Sequence, residues 1–190
     1  LPAQDLVIVN GAVQDQLRYR AYFDELRKHL GPGKVFWAES TNNFPTASGL
    51  ASSSSGFAAL TCAAFKAWNK DAPAALLSDI ARLGSASASR SLFGGFTLLA
   101  AGSRHAEQII GPAHWPELRV LVVRVKEGPK ESSSRNAMES TRCTSPFYDA
   151  WVDDSRTLVP QALDALKRKD LEELGPLIRK SYSRMFATML

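Results

Sequence analysis

The 190 residues predict a mixed helix-and-strand globular chain, and three observations carry that prediction. Short β-branched runs end in turn residues, longer segments repeat apolar residues at helical spacing, and glycine and proline separate the two kinds of segment. With 45% hydrophobic and 22% charged residues, the chain is ordinary globular material, long enough for one substantial core or two smaller ones.

Residues 5–11 (DLVIVNG) read as a strand running into an Asn10-Gly11 turn. From Gln14 to Leu30, the residues Leu17, Tyr22, Leu26 and Leu30 form the apolar side of an amphipathic helix, stopped by Gly31-Pro32-Gly33. Residues 34–40 (KVFWAES) are a second strand. The serine-rich stretch 42–57 (NNFPTASGLASSSSGF) follows, and behind it Phe57, Leu60, Ala64 and Trp68 lie at helical spacing. Residues 76–84 predict a short helix with Ser78 as N-cap and Gly84 as its stop. Residues 85–93 (SASASRSLF) begin another helix ended by Gly94-Gly95, and residues 96–100 are strand-like. The run 118–126 (LRVLVVRVK) is the strongest strand pattern in the chain. A polar stretch from Glu127 to Thr144 then precedes two helices, over 147–169 and 171–190. The change of pattern near His114 to Arg119 marks a domain border, which divides the chain into 1–113 and 114–190.

The net charge of +4 comes from 23 basic and 19 acidic residues spread along the chain, a pattern that favours a small anionic ligand over a nucleic acid. Cys62 and Cys143 are too few for a disulfide framework and lack metal-ligand spacing, which points to a reducing compartment. No apolar run approaches the roughly 20 residues of a membrane-spanning helix. The chain opens on Leu1 with no signal-like region, so it is expected to be part of a longer polypeptide. His29, His105 and His114 show no ligand or triad spacing, and no G-x-S-x-G elbow supports a serine hydrolase.

The serine-rich stretch has two readings. A helix N-terminus carries unpaired N–H groups and a partial positive charge, so a glycine-containing turn that feeds one makes an anion site. Gly49 lets the backbone come close to a phosphate, Pro45 directs the approach, and Ser52 to Ser55 add hydroxyl donors or a magnesium ligand. The other reading is a serine cap on a buried helix, for which one oxygen suffices; four consecutive serines exceed that need. The stretch is not a Walker A loop, which ends in Gly-Lys-Ser/Thr.

Residues 42–60 (NNFPTASGLASSSSGFAAL) resemble the P-x-x-x-G-L-x-S-S signature of the GHMP kinase superfamily, in the form seen in diphosphomevalonate decarboxylases. Residues 84–96 (GSASASRSLFGGF), 114–123 (HWPELRVLVV) and 132–151 (SSSRNAMESTRCTSPFYDAW) are similar, in the same order, to further segments of those enzymes. The resemblance implies an α+β, two-lobed GHMP kinase-like fold, with a phosphate-loop lobe and a ferredoxin-like C-terminal lobe, incomplete in this chain. It implies ATP-dependent decarboxylation of mevalonate 5-diphosphate to isopentenyl diphosphate, through phosphorylation of the tertiary hydroxyl. That reaction serves the mevalonate pathway of isoprenoid and sterol synthesis. ATP and Mg2+ are the implied cofactors, and the partners are the small substrate and a second subunit, with neither nucleic acid nor membrane. The implied location is cytoplasmic, with a peroxisome or related organelle as the alternative.

By the same resemblance, Pro45, Ser48, Gly49, Leu50, Ala51, Ser52, Ser53 and Ser54 contact ATP, and Ser53 is a magnesium ligand. Ser85 and Ser87 match serines that bind the substrate diphosphate, and Arg90 matches the arginine that orients the carboxylate that is lost. Ser134, Arg135 and Met138 match further substrate contacts, although Ala137 stands where the family has glycine, and Phe186 where it has histidine. Without the resemblance, residues 85–91 read as a capped surface helix and residues 130–140 as a polar loop. Two family segments do not occur in these residues: the N-terminal lysine segment and the Asp-Ala-Gly-x-Asn-like motif that holds the general base. Asp149, Asp153 and Asp154 read as a helix start and its solvated face. A GHMP-type small-molecule kinase without decarboxylation and a non-catalytic phosphate-binding domain stay open as alternatives.

Overall fold

The structure, a computed structural model, describes residues 4–44, 49–123 and 134–189. It divides into two compact units, Leu1–Pro129 and Lys130–Leu190. In the first, β1 (Leu6–Val9) turns through Asn10 and Gly11, both at positive φ, into β2 (Ala12–Val13). This is the Asn-Gly hairpin geometry that the sequence predicts. The chain then forms α1 (Arg20–Leu30) and returns as β3 (Trp37–Ser40), parallel to β1, so that the sheet order is β2-β1-β3. Asp5 ties the unit's first strand to both ends of that crossover: it accepts from Phe36 N at 3.0 Å and pairs with Arg27.

The buried stripe of α1 is Tyr22, Phe23, Leu26 and Leu30. Leu17 was expected to join it but is 76% exposed. Residues Gln16–Tyr19 form a 3-10 turn, whose three-residue period carries Leu17 off the stripe and turns Tyr19 inward. The core continues through α2 (Ser52–Ala67) and α3 (Ala74–Gly84). Phe23 stacks on Phe36 with centroids 4.8 Å apart, and the Phe57 ring lies 5.1 Å from both Tyr19 and Tyr22. Thr61 Oγ1 donates to Phe57 O at 2.7 Å, so the Tyr22 hydroxyl is the donor in its 2.9 Å bond to Thr61. Burial pushes the phenols of Tyr22 and Tyr19 above their ordinary value.

Ser78 does not cap α3, whose N-cap is Pro73. It is fully buried inside the helix, donating to Ser89 O and accepting from Ala106 N, each at 2.9 Å. Residues 85–93, expected to begin a helix, form instead a 3-10 segment over Ala86–Leu92. A hairpin of β4 (Phe96–Leu98) and β5 (Glu107–Ile110) follows, and β5 was not foreseen. The strand expected over 118–126 does not form in residues 118–123, where Val120, Leu121, Val122 and Val123 are 84, 90, 66 and 80% exposed. A strand needs a neighbour for its N–H and C=O groups, and no described strand lies beside this run. Residues 124–126 lie outside the described residues.

The second unit is helical: α4 (Ser134–Thr144), α5 (Tyr148–Arg168) and α6 (Leu171–Ala187). The polar composition of 134–144 predicted a loop, yet a Glu139–Arg142 pair at i,i+3 and a bond from Thr144 Oγ1 to Ser140 O support a helix. Hydrogen bonding to Arg142 holds the Glu139 carboxyl below its usual range. The turn between α5 and α6 uses Lys169 at φ 58 and Asp170, whose side chain accepts from Glu173 N at 2.9 Å. Leu158 and Ala165 of α5 and Leu174 and Leu177 of α6 are buried. Among the described residues no helix is long and apolar enough to cross a membrane.

Candidate functional site

The site is built where β3 hands over to α2. Asn42 N donates to Asn10 Oδ1 at 2.8 Å, which anchors the loop's first residue to the β1–β2 turn. Pro45 and Ser48 lie outside the described residues. Gly49 (φ 85) and Ala51 (φ 52) both take left-handed backbone conformations. Ala51 is the N-cap of α2 and makes no side-chain cap bond, so the four serines are not caps; they occupy the first turn itself. The backbone N–H groups of Ser52 and Ser53 therefore have no intrahelical acceptor and sit at the positive end of a 16-residue helix. A left-handed alanine costs on the order of 1 kcal/mol or more. No described atom lies within 4 Å of where a Gly49 Cβ would stand, which leaves room over the loop for an anion. The hard hydroxyl oxygens of Ser52 and Ser53, both half-buried, suit a magnesium ion that keeps water and phosphate oxygens as its other ligands.

The second half of the site is the 3-10 segment. Ser87 and Arg90 are one three-residue turn apart, so they stand in line along it. Arg90 is exposed, and among the described residues no carboxylate pairs with it. Ser87 Oγ is hydrogen-bonded to Ser54 Oγ of α2 and lies 3.1 Å from Ser85 Oγ. This contact joins the phosphate-loop helix to the segment that carries the other candidate residues. The segment's backbone is held from below: Ser89 Oγ donates to Ala86 O at 2.7 Å, while Ser89 O accepts from the buried Ser78 hydroxyl.

Two openings flank the start of α2. One is a groove of about 400 Å³ between the sheet and α2, which Ser52, Ser53 and Arg18 share with Phe57, Leu60 and Trp68. The other, about 380 Å³, is lined by Phe44, Leu50, Ala51, Ser54, Ser55 and Ser91. Sequence reasoning missed Arg18, whose guanidinium lies 5.7 Å from the Phe57 ring centre and 5.9 Å from that of Tyr19. No spacing rule links it to the serines; only the fold does. It likewise missed Ser91 and the cross-link made by Ser54.

In the second unit, Met138 lies on α4 and is 60% exposed. Ser134 and Arg135 begin that helix, and only their backbone is described. Ala137 also lies within α4 and is not among the positive-φ residues, so alanine in place of the family's glycine brings no backbone strain there. Asp153 pairs with Arg156 at 3.4 Å and Asp154 pairs with Arg184, as solvated helix residues do.

Comparison with known proteins adds an independent line. A profile of the diphosphomevalonate decarboxylase-like N-terminal domain matches residues 2–110. The diphosphomevalonate decarboxylase of Candida albicans is 39% identical over 161 residues, covering 80% of this chain and 44% of the relative. A structure solved in complex with MVAPP, AMPPCP and magnesium is 36% identical with a TM-score of 0.84, covering 98% of this chain and 59% of the other. The mevalonate diphosphate decarboxylase from Enterococcus faecalis, studied for mevalonate diphosphate-mediated ATP binding, is 33% identical with a TM-score of 0.78, covering 98% and 59%. The chain thus spans about half the length of the curated relatives it matches.

Proposed function

The chain belongs to the family of the diphosphomevalonate decarboxylase-like N-terminal domain, and on that premise we propose that it supplies the phosphate-binding part of an ATP-dependent decarboxylase acting on mevalonate 5-diphosphate. The observation that carries the reading is the Ser54–Ser87 contact, which sets an anion-ready helix start beside a segment bearing paired serines and an arginine without a carboxylate partner among the described residues. A simple kinase substrate needs no second phosphate site. Mevalonate 5-diphosphate, with a diphosphate at one end and a carboxylate at the other, needs positive charge and hydroxyl donors at two places.

In this reading Gly49 and the N–H groups of Ser52 and Ser53 hold nucleotide phosphates, and Ser53 Oγ is a ligand of their magnesium ion. Bound ATP with its magnesium supplies the phosphoryl group that turns the tertiary hydroxyl into a leaving group. Ser85 and Ser87 donate to the substrate diphosphate. Arg90 grips the carboxylate through two parallel hydrogen bonds, fixing the C–C bond that must break in line with the C–O bond that leaves. The general base belongs to a family segment that these residues do not contain; Ser134, Arg135 and Met138 are further substrate contacts in this reading, and residues 114–190 are the first part of a ferredoxin-like C-terminal lobe. Cytoplasmic location and a homodimer belong to the same reading.

The test is Arg90→Lys in a polypeptide that spans the full length of the relatives. Lysine keeps the charge and loses the fork, so carbon dioxide release should fall by about a hundredfold while nucleotide affinity stays within about twofold. Equal activity of the lysine variant would sink the assignment.

A further inference from the structure

We propose that Ser54 is a positioning residue: its hydroxyl donates to Ser87 and holds that side chain in place, so that the one proton left over in the Ser54–Ser87–Ser85 chain, on Ser87 or Ser85, faces a phosphate oxygen of the diphosphate. The inference rests on the reading above and gives Ser54, whose hydroxyl is bonded to Ser87, a role in place of the ATP contact that the resemblance implies for it. Ser52 and Ser53 are half-buried and line the groove; Ser54 is only 6% exposed. Ser55 turns back on its own helix, donating to Ser52 O at 3.2 Å. Ser54 instead reaches across to Ser87 Oγ, which lies 3.1 Å from Ser85 Oγ, so three hydroxyls from two elements form one chain.

Proton counting gives the chain a direction. Each hydroxyl has one proton to donate and can accept two. The two internal bonds use two of the three protons. If Ser85 donated to Ser87 and Ser87 to Ser54, the unused proton would sit on Ser54, which is only 6% exposed at the edge of the second opening and has no other side-chain hydrogen bond among the described residues. Stranding a buried donor costs about 1 to 3 kcal/mol, more than the net worth of an ordinary hydrogen bond. The favoured arrangements therefore have Ser54 as donor. Either Ser87 passes its proton to Ser85, freeing that of Ser85, or Ser85 also donates to Ser87, freeing that of Ser87. In both, one proton points outward from half-buried Ser85 or Ser87, on a backbone pinned by the Ser78 and Ser89 bonds. Ser54 touches no ligand in this account; it acts through Ser87.

The test is a double-mutant cycle on the full 190-residue chain, with inorganic diphosphate and AMPPCP as probes in separate titrations. Ser54→Ala should weaken diphosphate binding about five- to tenfold, leave AMPPCP binding within about twofold, and add nothing in a Ser87→Ala background. Ser54→Cys, of similar shape but a weaker donor, should fall between wild type and alanine. Unfolding midpoints of all five proteins keep a folding defect apart from a binding one. If Ser54→Ala weakens AMPPCP instead, Ser54 is a nucleotide ligand and the proposal fails; if the two substitutions add, the hydroxyls act independently and it fails as well. A wild-type chain that binds neither probe would overturn the proposed function, and this inference with it.

Discussion

Gly84 ends α3 one residue before Ser85, and its size is set by the ring beneath it. A Cβ at that position would lie 2.0 Å from Phe57 Cδ1 and 2.3 Å from Cε1 and Cγ. Ordinary contact begins at 3.4 Å, so Gly84→Ala asks the ring or the helix end to give way by 1.4 Å, the difference between 3.4 and 2.0. The ring cannot swing clear, because Phe57 is 3% exposed and held between Tyr19 and Tyr22. Overpacking of this kind costs about 1 to 3 kcal/mol, and the better helix propensity of alanine returns at most ~1 kcal/mol. A net loss of about 1 to 2 kcal/mol is expected. It should appear in urea unfolding followed by the near-ultraviolet dichroism of the buried tyrosines, with the midpoint lowered and the slope unchanged. The substitution should also displace Ser85 and weaken diphosphate binding. In a Phe57→Leu background, where the ring is gone, it should cost less than half as much. A loss below ~0.5 kcal/mol in the wild-type background would show that the α2–α3 contact yields easily and does not fix the position of Ser85.

Three further outcomes are expected. Gly49→Val puts a β-branched side chain at φ 85 in the space assigned to phosphate, and AMPPCP binding should be lost in a folded protein. Ser53→Ala should lower only the magnesium-dependent part of nucleotide affinity, by roughly ten- to a hundredfold; unchanged affinity would remove Ser53 from the site. Burial raises the folded-state pKa of Tyr22 and Tyr19 above the ordinary 10.0, so their contribution to stability is full below about pH 10 and is lost as pH rises toward the raised values. Tyr22→Phe should flatten that alkaline fall and cost about 1 kcal/mol at neutral pH, read from urea midpoints between pH 8 and 11.

Local chemistry made much of the first unit legible. Asn10-Gly11 could only be a turn, the Tyr22-Leu26-Leu30 spacing could only bury one helix face, and Phe57 and Ala64 did the same for α2. What the sequence hid was decided by distant partners. The run from Leu118 is apolar and β-branched, but with no described strand beside it residues Arg119 to Val123 stay exposed. Ser78 looked like a cap because serine caps helices so often, and its burial follows only once residues 89 and 106 are seen to meet it. In the candidate site the glycine, the serines and Arg90 stood out as residue types suited to phosphate and carboxylate. Their pairing did not, since Ser54 and Ser87 are 33 residues apart and no periodicity relates them. Arg18 escaped for the same reason.

The measurement that bears most directly on the account is product analysis with mevalonate 5-diphosphate and ATP, in a polypeptide spanning the full length of the relatives and, in parallel, in these 190 residues alone. The longer polypeptide should release carbon dioxide and inorganic phosphate in equal amounts. The 190 residues, among which neither the base motif nor the lysine segment occurs, should release almost none of either. ADP formed with a phosphorylated product and no carbon dioxide would make the protein a kinase, and rapid decarboxylation by the 190 residues alone would mean that the base lies among them.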